Sequence, residues 1–374
     1  MRLLYLSLGQ TIHDLRFISS LVKTNVEVKW LRLGTAAKAS EVPPESPFLE
    51  VVHWRGEDRA YRLEELSILV PSLEAMIRQL RPDMLHAGPV QSCAYLASLT
   101  GFKPLVTLSF GYDLLKDAES SVEMLAATRA TLDRTTLLMV DCDAVRHKAQ
   151  ELGFSGRPVV QFAWGVDLHQ FSPGDGAEIR NRLGFQDAFM FLSLRTLEPL
   201  YGVDVVLKGF LWAAARHRGL RLAILGSGSQ EAWLKDLAAA SPFADRIHFG
   251  GRVSNEELPR WYRAADCYVS ASPVDGSSVS LLEAMACAKP SIVTDIPGNR
   301  EWVEEGIHGW RFPVGDPAAL AEIMLAAAAH PDLAALGAAA RKRAEEKADW
   351  SENFKVMLSA YRQAVKFSSP WTVA

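Results

Sequence analysis

The chain has 374 residues, which at about 100 to 200 residues per domain predicts two domains or one large one. Hydrophobic residues make up 49% and charged residues 22%, a composition that can bury a large core and excludes a disordered chain. Lys and Arg number 40 and Asp and Glu number 44, so the net charge of −4 gives no broad positive field for nucleic acid or anionic lipid. Any anion that binds must be held by local groups.

The cysteines and the apolar runs set expectations about the compartment. Cys93, Cys142, Cys267 and Cys287 include no Cys-x-x-Cys pair, which favours buried thiols in a reducing compartment over a disulfide framework or a zinc site. The first segment, MRLLYLSLGQ, is interpreted as a buried strand because it lacks the cleavage site of a signal peptide. No apolar run approaches the roughly 20 residues that cross a bilayer. We expect a cytoplasmic protein, at most peripherally attached to the inner face of a membrane.

The first half of the chain alternates short apolar runs with segments of helical composition. Continuous apolar strands separated by helices are typical of a parallel sheet that is covered on both faces. Seven strands are predicted, and they begin at Arg2, Val26, Leu49, Met84, Pro104, Thr136 and Pro158.

The same pattern restarts after the stretch FSPGDG at residues 171–176, and six further strands are predicted. They begin at Ala188, Arg221, Arg246, Cys267, Pro290 and Gly309. The repetition predicts an α/β fold with two Rossmann-like domains over residues 1–164 and 165–350, and then a helix over residues 351–374 that Ser351 caps. Open parallel sheets bind ligands beyond the carboxyl ends of their strands, so two facing sheets predict a ligand cleft between the domains.

The stretch from Ser272 to Glu301, SPVDGSSVSLLEAMACAKPSIVTDIPGNRE, carries the strongest signal for a binding site. A strand leads into a turn of small residues where a helix begins, so a phosphate can approach backbone N–H groups at the positive end of the helix. Asp275 and Glu283 flank this turn. A carboxylate beside a phosphate site typically accepts hydrogen bonds from ligand hydroxyls. The stretch therefore predicts a phosphate site with two hydroxyl-binding carboxylates.

Asp275-x7-Glu283, continued by LLEAMACAKP and TDIPGNRE, resembles the donor-site signature of the family 4 retaining glycosyltransferases, the glycosyl transferases of group 1. Three more segments are similar to motifs of that family: GVDLHQFSP at 165–173, ILGSGSQEAWL at 224–234, and HFGGRVSNEELPRWYRAADCYVSAS at 248–272. The resemblance is strong in the second half and weak in the first. It implies the GT-B fold, in which two Rossmann-like domains face each other across a cleft, and a final helix that packs back on the first domain.

The resemblance also implies roles for the matching positions. Glu283 would hold the ribose hydroxyls of a nucleotide, Asp275 would contact the donor sugar, and Arg195 would neutralise the diphosphate. A guanidinium suits that task because it forks onto phosphate oxygens and stays charged. A pair between Arg195 and Glu198 at the strand end is the alternative. The other donor-side positions are Gly276, Ser277, Ser278, Val279, Arg252 and Gly226.

Two positions depart from the family pattern. Many relatives have a lysine five or six residues after the arginine, where this chain has Leu200 and Tyr201. Lys208 or Arg252 is a candidate replacement. The family often has a histidine after the fifth strand, where this chain has Ser109 and Phe110, so no imidazole is expected there.

Acceptor-side contacts are expected at the strand ends of the first half. A histidine packed in the core is the alternative for His86, and a plain helix start is the alternative for His13 and Arg16. The candidate acceptor-side residues are Gly9, His13, Arg16, His86, Gly111 and Asp113.

The resemblance implies a retaining enzyme that moves a sugar from a nucleoside diphosphate, UDP first and GDP second, to an acceptor hydroxyl in glycan, glycolipid or polysaccharide synthesis. Its partners would be the nucleotide sugar and a carbohydrate or lipid-linked acceptor, and not nucleic acid. No cofactor or metal is expected, because no Asp-x-Asp triplet lies near the donor signature. Two alternatives stay open: a GT-B-fold sugar-nucleotide epimerase, and a catalytically weak subunit that binds nucleotide sugar or acts as a scaffold.

Overall fold

The computed structural model describes residues 1–34 and 42–367. In this part of the chain there are two compact units. The N-terminal unit is formed by residues of Met1–Phe162 and of the final helix from Glu352, and the C-terminal unit is Ala163–Ser351. The predicted domains divide after residues 164 and 350. Residues 368–374 of the predicted final helix lie outside the described residues.

The N-terminal unit has a parallel sheet of seven strands among its described residues. All seven predicted strands are present, and the four at Arg2–Leu8, Met84–Gly88, Leu105–Leu108 and Leu137–Val140 are mainly apolar and buried along most or all of their length. The seven strands are β1 (Arg2–Leu8), β2 (Glu27–Leu33), β3 (Leu49–Val51), β4 (Met84–Gly88), β5 (Leu105–Leu108), β6 (Leu137–Val140) and β7 (Val159–Gln161), in the spatial order β3-β2-β1-β4-β5-β6-β7.

Helices connect these strands and cover both faces of the sheet. The first helix starts at a capping box, in which the Thr11 hydroxyl accepts from the Asp14 N–H and the Asp14 carboxylate accepts from the Thr11 N–H. The α-helices of this part are α1 (Ile12–Leu21), α2 (Val70–Leu80), α3 (Tyr95–Leu99), α4 (Tyr112–Leu115), α5 (Val122–Arg134) and α6 (Asp143–Glu151).

The C-terminal unit has a parallel sheet of six strands, and all six predicted strands are present. The strands are β8 (Phe189–Leu194), β9 (Leu220–Leu225), β10 (Ile247–Gly251), β11 (Cys267–Ser270), β12 (Ser291–Thr294) and β13 (Gly309–Phe312), in the spatial order β10-β9-β8-β11-β12-β13. The prediction of two Rossmann-like α/β domains with parallel sheets is confirmed.

The helices of the C-terminal unit pack on both faces of its sheet, where they bury two apolar clusters. One cluster includes Tyr262, Leu282 and Met285, and the other includes Phe191, Phe210 and Leu320. The helices are α7 (Ala177–Leu183), α8 (Val203–Arg216), α9 (Glu231–Ala239), α10 (Leu258–Ala264), α11 (Val279–Ala286), α12 (Pro297–Arg300), α13 (Pro317–Ala328) and α14 (Leu333–Lys347).

The final helix, α15 (Trp350–Phe367), ends within the N-terminal unit. Its buried residues recur at helical spacing and form an apolar stripe. They are Met357, Ala360, Tyr361 and Ala364. The helix begins at Trp350, so the predicted cap Ser351 is its second residue, and Asp349 Oδ1 accepts from the Ser351 N–H at 2.8 Å. The prediction that Ser351 caps this helix is therefore wrong, because Asp349, directly before the helix, provides the capping oxygen.

Among the described residues, no single helix has both the length and the apolar composition of a membrane span. The pair α13 and α14 meets that measure only when it is joined across a bend of 108°.

Candidate functional site

The centre of the C-terminal sheet contains a topological switch point between β8 and β11. Chain connections from β8 run outward to β9 on one side, whereas β11 continues to β12 on the other. Ligands of open α/β sheets bind at the carboxyl ends of the strands at such a point. Arg195 directly follows β8 and the turn with Asp275 follows β11, so adjacent strand ends bring these two predicted residues together.

Arg195 is held on three sides. Its Nη2 lies 2.8 Å from Asp275 Oδ2, its Nη1 donates to the Ser278 hydroxyl, and its guanidinium lies over the Tyr201 ring at 4.3 Å from the centroid. The side chains of Arg195 and Asp275 are 11% and 18% exposed. Burial lowers the pKa of the guanidinium, but Asp275, Tyr268 and Tyr201 together outweigh this effect and the pKa is raised. The site therefore has a permanently charged cation fixed beside the start of α11.

These contacts settle one alternative raised by the sequence, the pairing of Arg195 with Glu198. Glu198 accepts hydrogen bonds from the N–H and the hydroxyl of Ser229, while Arg195 pairs with Asp275. Tyr201 occupies one of the positions where many relatives have a lysine, and its ring stacks on the Arg195 guanidinium. Lys208 pairs with Asp204 on α8 at 2.8 Å.

The turn before α11 brings four predicted backbone positions to the helix N-terminus: Gly276, Ser277, Ser278 and Val279. Ser278 is the N-cap residue and makes no side-chain capping bond, and its hydroxyl accepts from Arg195. The N–H groups of a helix's first turn have no partner within the helix and favour an anion. This arrangement can hold a phosphate beside Arg195.

Residues that end or follow β12 contact this turn and hold it in place. The indole N–H of Trp302 donates to Ser277 Oγ at 3.1 Å. A Cβ on Gly298 would lie 2.5 Å from the Gly276 carbonyl oxygen and 2.6 Å from that of Asp275, so a glycine is needed for this close approach. The Thr294 hydroxyl donates to the Ser272 carbonyl. The segment TDIPGNRE, which belongs to the stretch that resembles the donor-site signature, therefore packs against the turn and fixes its shape.

Glu283 lies on α11 and is only 5% exposed. The Tyr262 hydroxyl donates to Glu283 Oε2 at 2.9 Å and lies 3.0 Å from the Ser280 carbonyl oxygen. Ser280 also links this end of the site to the cation, because its hydroxyl lies 3.2 Å from the Ser278 hydroxyl. One polar network therefore runs from Arg195 along the first turns of α11 to Glu283.

Gly226 and Arg252 follow β9 and β10 at the same sheet edge. Gly226 has φ +122°, and a Cβ there would lie 2.2 Å from the Arg195 carbonyl oxygen, so only glycine lets the turn pack against the end of β8. Arg252 is exposed and its Nε donates to Ser227 Oγ at 2.9 Å. Both predicted positions lie at the edge that carries Arg195.

His86 of the N-terminal unit lies inside the core and not at a surface where an acceptor could reach it. It is 1% exposed, its ring stacks on Tyr5 at 4.6 Å, and its Nδ1 lies 2.9 Å from the Tyr361 hydroxyl. Burial lowers the pKa of His86 to about 3, so the ring is neutral. The acceptor-side prediction for His86 is corrected to a packing role, because β4 is the central neighbour of β1 and is buried on both faces.

Asp113 also points inward. It is 1% exposed and accepts from the Ser109 hydroxyl at 2.6 Å and from the N–H groups of Val90, Phe110 and Leu114 at 3.0, 3.0 and 2.9 Å. Burial raises the pKa of Asp113 and these hydrogen bonds oppose the rise. The acceptor-side prediction for Asp113 is corrected to that of a loop anchor.

The remaining acceptor-side candidates lie on the loops after β1 and β5. Gly9 has φ 71° and Gly111 has φ 84°, both left-handed conformations that favour glycine. Gly111 is buried and precedes α4. His13 and Arg16 lie in the first two turns of α1 and are partly exposed.

Three residues of the site were not identified from the sequence as functional: Tyr201, Tyr262 and Trp302. Each is an aromatic residue that packs in or beside the core and uses a ring face or a polar atom on a site residue. The signal that could have found the last two is chemical, because a buried phenol or indole N–H requires a hydrogen-bond partner. Among the described residues, no three His, Cys, Asp or Glu side chains are grouped in a way that suits a metal ion.

Family models match both units. Residues 2–142 match the model described as glycosyl transferase 4-like, and residues 175–346 match glycosyl transferases group 1. The D-inositol 3-phosphate glycosyltransferase of Geodermatophilus obscurus is 26% identical over 89% of this chain and 80% of the relative. The enzyme of the same name from Streptomyces scabiei is 35% identical over 48% of this chain and 43% of the relative. The chain thus spans about half the length of the relatives it matches at higher identity.

Solved structures share the fold over nearly the whole chain. The sucrose-phosphate synthase of Thermosynechococcus elongatus has a TM-score of 0.83 at 19% identity and covers 98% of this chain and 100% of its own. Anabaena HepE in complex with UDP-glucose has a TM-score of 0.78 at 17% identity, with coverages of 97% and 100%.

Two Rossmann-like units with these structural neighbours define a protein of the GT-B class. With a family model matched in each unit, the chain belongs to the glycosyl transferases of group 1 and is a glycosyltransferase.

Proposed function

We propose that the protein transfers a sugar from UDP-sugar to an acceptor hydroxyl, with retention of the anomeric configuration. The observation that carries the proposal is the grouping of Arg195, Asp275 and Ser278 at the N-terminus of α11, with Glu283 further along the same helix. A cation and a helix N-terminus suit a diphosphate, and a carboxylate suits hydroxyls. A GDP-sugar is the second donor class to be tested.

In the proposed complex, the diphosphate contacts Arg195 and the backbone N–H groups of 276–279. Glu283 accepts from the ribose hydroxyls, and Asp275 accepts from a hydroxyl of the donor sugar. The complexes of Anabaena HepE with UDP and with UDP-glucose support uridine as the base. No resident metal is part of the proposal, because a fixed guanidinium and helix amides supply positive charge beside the leaving group.

The proposed reaction breaks the bond between C1 of the sugar and the β-phosphate oxygen and forms a bond between C1 and the acceptor oxygen. The leaving UDP takes the proton of the acceptor hydroxyl, and the new bond forms on the face that the phosphate leaves. Arg195 and the N-terminus of α11 contribute by stabilising the negative charge that develops on the leaving phosphate oxygen. Glu283 and Asp275 contribute by orienting the donor.

For the acceptor, we propose a carbohydrate or polyol hydroxyl presented by the N-terminal unit, in a cytoplasmic setting. The names of the relatives support a phosphorylated acceptor, since they are D-inositol 3-phosphate glycosyltransferases and, in fold, a sucrose-phosphate synthase. His13 and Arg16 at the start of α1 are the basic side chains proposed to meet it. A lipid-linked carbohydrate is the other acceptor to be tested, with membrane vesicles supplying it.

The test is a donor and acceptor screen on the purified protein. UDP-glucose, UDP-N-acetylglucosamine and GDP-mannose are incubated with inositol phosphate, with fructose 6-phosphate and with a lipid-linked sugar, with and without EDTA, and products are read by mass spectrometry and NMR. A product with the donor's anomeric configuration, formed equally with EDTA, supports the proposal. An inverted product overturns retention. Conversion of the donor sugar to its epimer indicates the epimerase, and tight UDP binding without turnover across the panel indicates a binding subunit.

A further inference from the structure

A tyrosine that does not line the phosphate end of the site contacts the carboxylate of Glu283. The Tyr262 hydroxyl donates to Glu283 Oε2 at 2.9 Å, and the two residues come from different helices, α10 and α11. We propose that Tyr262 is a positioning residue, whose hydroxyl fixes the rotation of the Glu283 carboxylate so that it accepts from the ribose hydroxyls of the nucleotide. This inference rests on the proposed function.

Both partners of this hydrogen bond are buried. Tyr262 is 0% exposed and Glu283 is 5% exposed. A carboxylate with so little water around it depends on protein donors for its orientation. Burial, and after it the charge of Glu283, raises the pKa of Tyr262 far above its ordinary value, so the phenol keeps its proton and remains a donor.

The ring of Tyr262 is itself fixed by aromatic neighbours. Phe171, from the segment that joins the two units, packs edge-on at 6.0 Å with an interplanar angle of 70°. Tyr268 of β11 packs at 6.2 Å. A side chain with its ring held this way loses little additional freedom when its hydroxyl bonds to Glu283, which suits a positioning group.

The same hydroxyl lies 3.0 Å from the Ser280 carbonyl oxygen, which offers a purely structural reason for the tyrosine. A structural role would stabilise α11 as a whole and change the binding of every ligand to a similar extent. A positioning role changes the part of binding that depends on ribose hydroxyls. The two roles therefore differ in their effect on the ratio of two affinities, one for a ligand with ribose hydroxyls and one for a ligand without them. A single affinity does not distinguish them.

The experiment compares UDP with 2′,3′-dideoxy-UDP, which lacks the hydroxyls assigned to Glu283, by calorimetric titration of the full chain. The wild-type protein is expected to prefer UDP, and Glu283→Ala is expected to abolish that preference. Tyr262→Phe removes one oxygen atom and is expected to reduce the preference at least threefold while changing the affinity for dideoxy-UDP by less than twofold. Any loss of folded protein acts on both titrations and cancels in the ratio.

Tyr361→Phe is the matched control, because Tyr361 is also 0% exposed and its hydroxyl lies 2.9 Å from His86 Nδ1 in the N-terminal unit. It is expected to leave the ratio at its wild-type value. A wild-type ratio in Tyr262→Phe, or an equal drop in both phenylalanine variants, overturns the positioning role. If the wild-type protein binds both ligands equally, Glu283 does not hold the ribose and the proposed site fails with the inference. If it prefers UDP and Tyr262→Phe keeps the preference, only the inference fails.

Discussion

The two sheets differ in the polar side chains that lie near the point where the strand order reverses. In the C-terminal unit, the ends of β8 and β11 bring Arg195, Asp275 and the buried Ser278 together, and the side chains of Arg195 and Asp275 are partly open to solvent. In the N-terminal unit, the reversal lies between β1 and β4, and the buried polar groups nearby turn inward. Asp14 accepts from the Tyr5 hydroxyl at 3.0 Å, and His86 stacks on Tyr5.

The comparison shows that a polar residue near a strand end is not by itself a ligand-binding residue. Asp113 and Asp14 accept hydrogen bonds from their own loops, whereas Asp275 forms an ion pair with a cation that is also a candidate for the diphosphate. In the N-terminal unit, the buried carboxylates near the strand ends hold their own loops in place. In the C-terminal unit, the charged side chains are grouped at a place where a ligand can contact them. Four substitutions test this division.

The largest effect is expected for Arg195→Ala. It removes the cation that the proposed mechanism places beside the leaving phosphate, so kcat for sugar transfer should fall by about 100- to 1000-fold. The affinity for uridine, which has no phosphate, should change by less than threefold in calorimetry. The control is Arg216→Ala, which removes an exposed arginine paired with Glu322. Equal losses in kcat and in uridine affinity would show that Arg195 supports the fold and that the two sheet edges do not differ as described.

Asp113→Ala is expected to destabilise the N-terminal unit. Its four donors, one hydroxyl and three backbone N–H groups, lose their acceptor in the interior, which costs about 3 kcal/mol of unfolding free energy. Urea denaturation measures the loss, and KM for the donor should stay within twofold of wild type. Asp143→Ala is the matched change, since Asp143 is half exposed and pairs with Arg146 on the surface, and it should cost less than about 1 kcal/mol. A normal stability together with a raised KM would place Asp113 in a binding role.

Glu283→Ala should weaken UDP binding by about 2 kcal/mol, or roughly 30-fold, through the loss of charge-assisted hydrogen bonds. Calorimetric titration with UDP measures it. Glu257→Ala, which changes an exposed glutamate just before α10, is the control and should leave the affinity unchanged. If Glu283→Ala has an unchanged affinity for UDP, the ribose does not bind at this end of α11.

The smallest effect is a pH dependence from His86. Its pKa is lowered to about 3 in the folded protein from an ordinary value of 6.5, so below pH 6.5 the unfolded chain takes up a proton that the folded chain does not. The stabilising contribution of the neutral ring is present above pH 6.5 and is lost as the pH falls toward 3. Between pH 7 and pH 5.5 it should decrease by about 1 kcal/mol.

Urea denaturation of wild type and His86→Gln at the two pH values isolates this contribution. The wild-type protein should lose about 1 kcal/mol more than the variant over the interval. The same pH dependence in both proteins would mean that His86 takes up its proton in the folded state, and so that it is not enclosed as the structure shows.

Much of the fold could be predicted because its elements are local. The apolar runs at Arg2–Leu8 and Phe189–Leu194 indicate buried parallel strands by composition alone, and both are present. The turn of small residues before Val279 also indicates a helix start without reference to distant residues. Residue-by-residue resemblance identified Arg195, Asp275 and Glu283, which lie along one polar network.

The direction of the side chains in the N-terminal unit could not be predicted in the same way. The sequence pattern puts His86 near a strand end and Asp113 in the segment after a strand, where a ligand contact and a packing role have the same local sequence. In the structure His86 is the middle residue of β4 and Asp113 lies in α4. Tyr361, which bonds His86, lies 275 positions further along the chain on the returning helix α15. No pattern within a short window contains that partner.

By itself, the sequence determined the class of fold, the position of the turn before α11 and the identity of the residues around it, because strand burial and helix initiation depend on residues within one or two turns of the chain. Only the tertiary structure decided how these residues are partnered. Ser278 reaches Arg195 from 83 positions away, and Tyr262 reaches Glu283 from another helix. Hydrogen bonds and ion pairs act over about 3 Å, so packing of the strands and helices determines which distant groups come within that range.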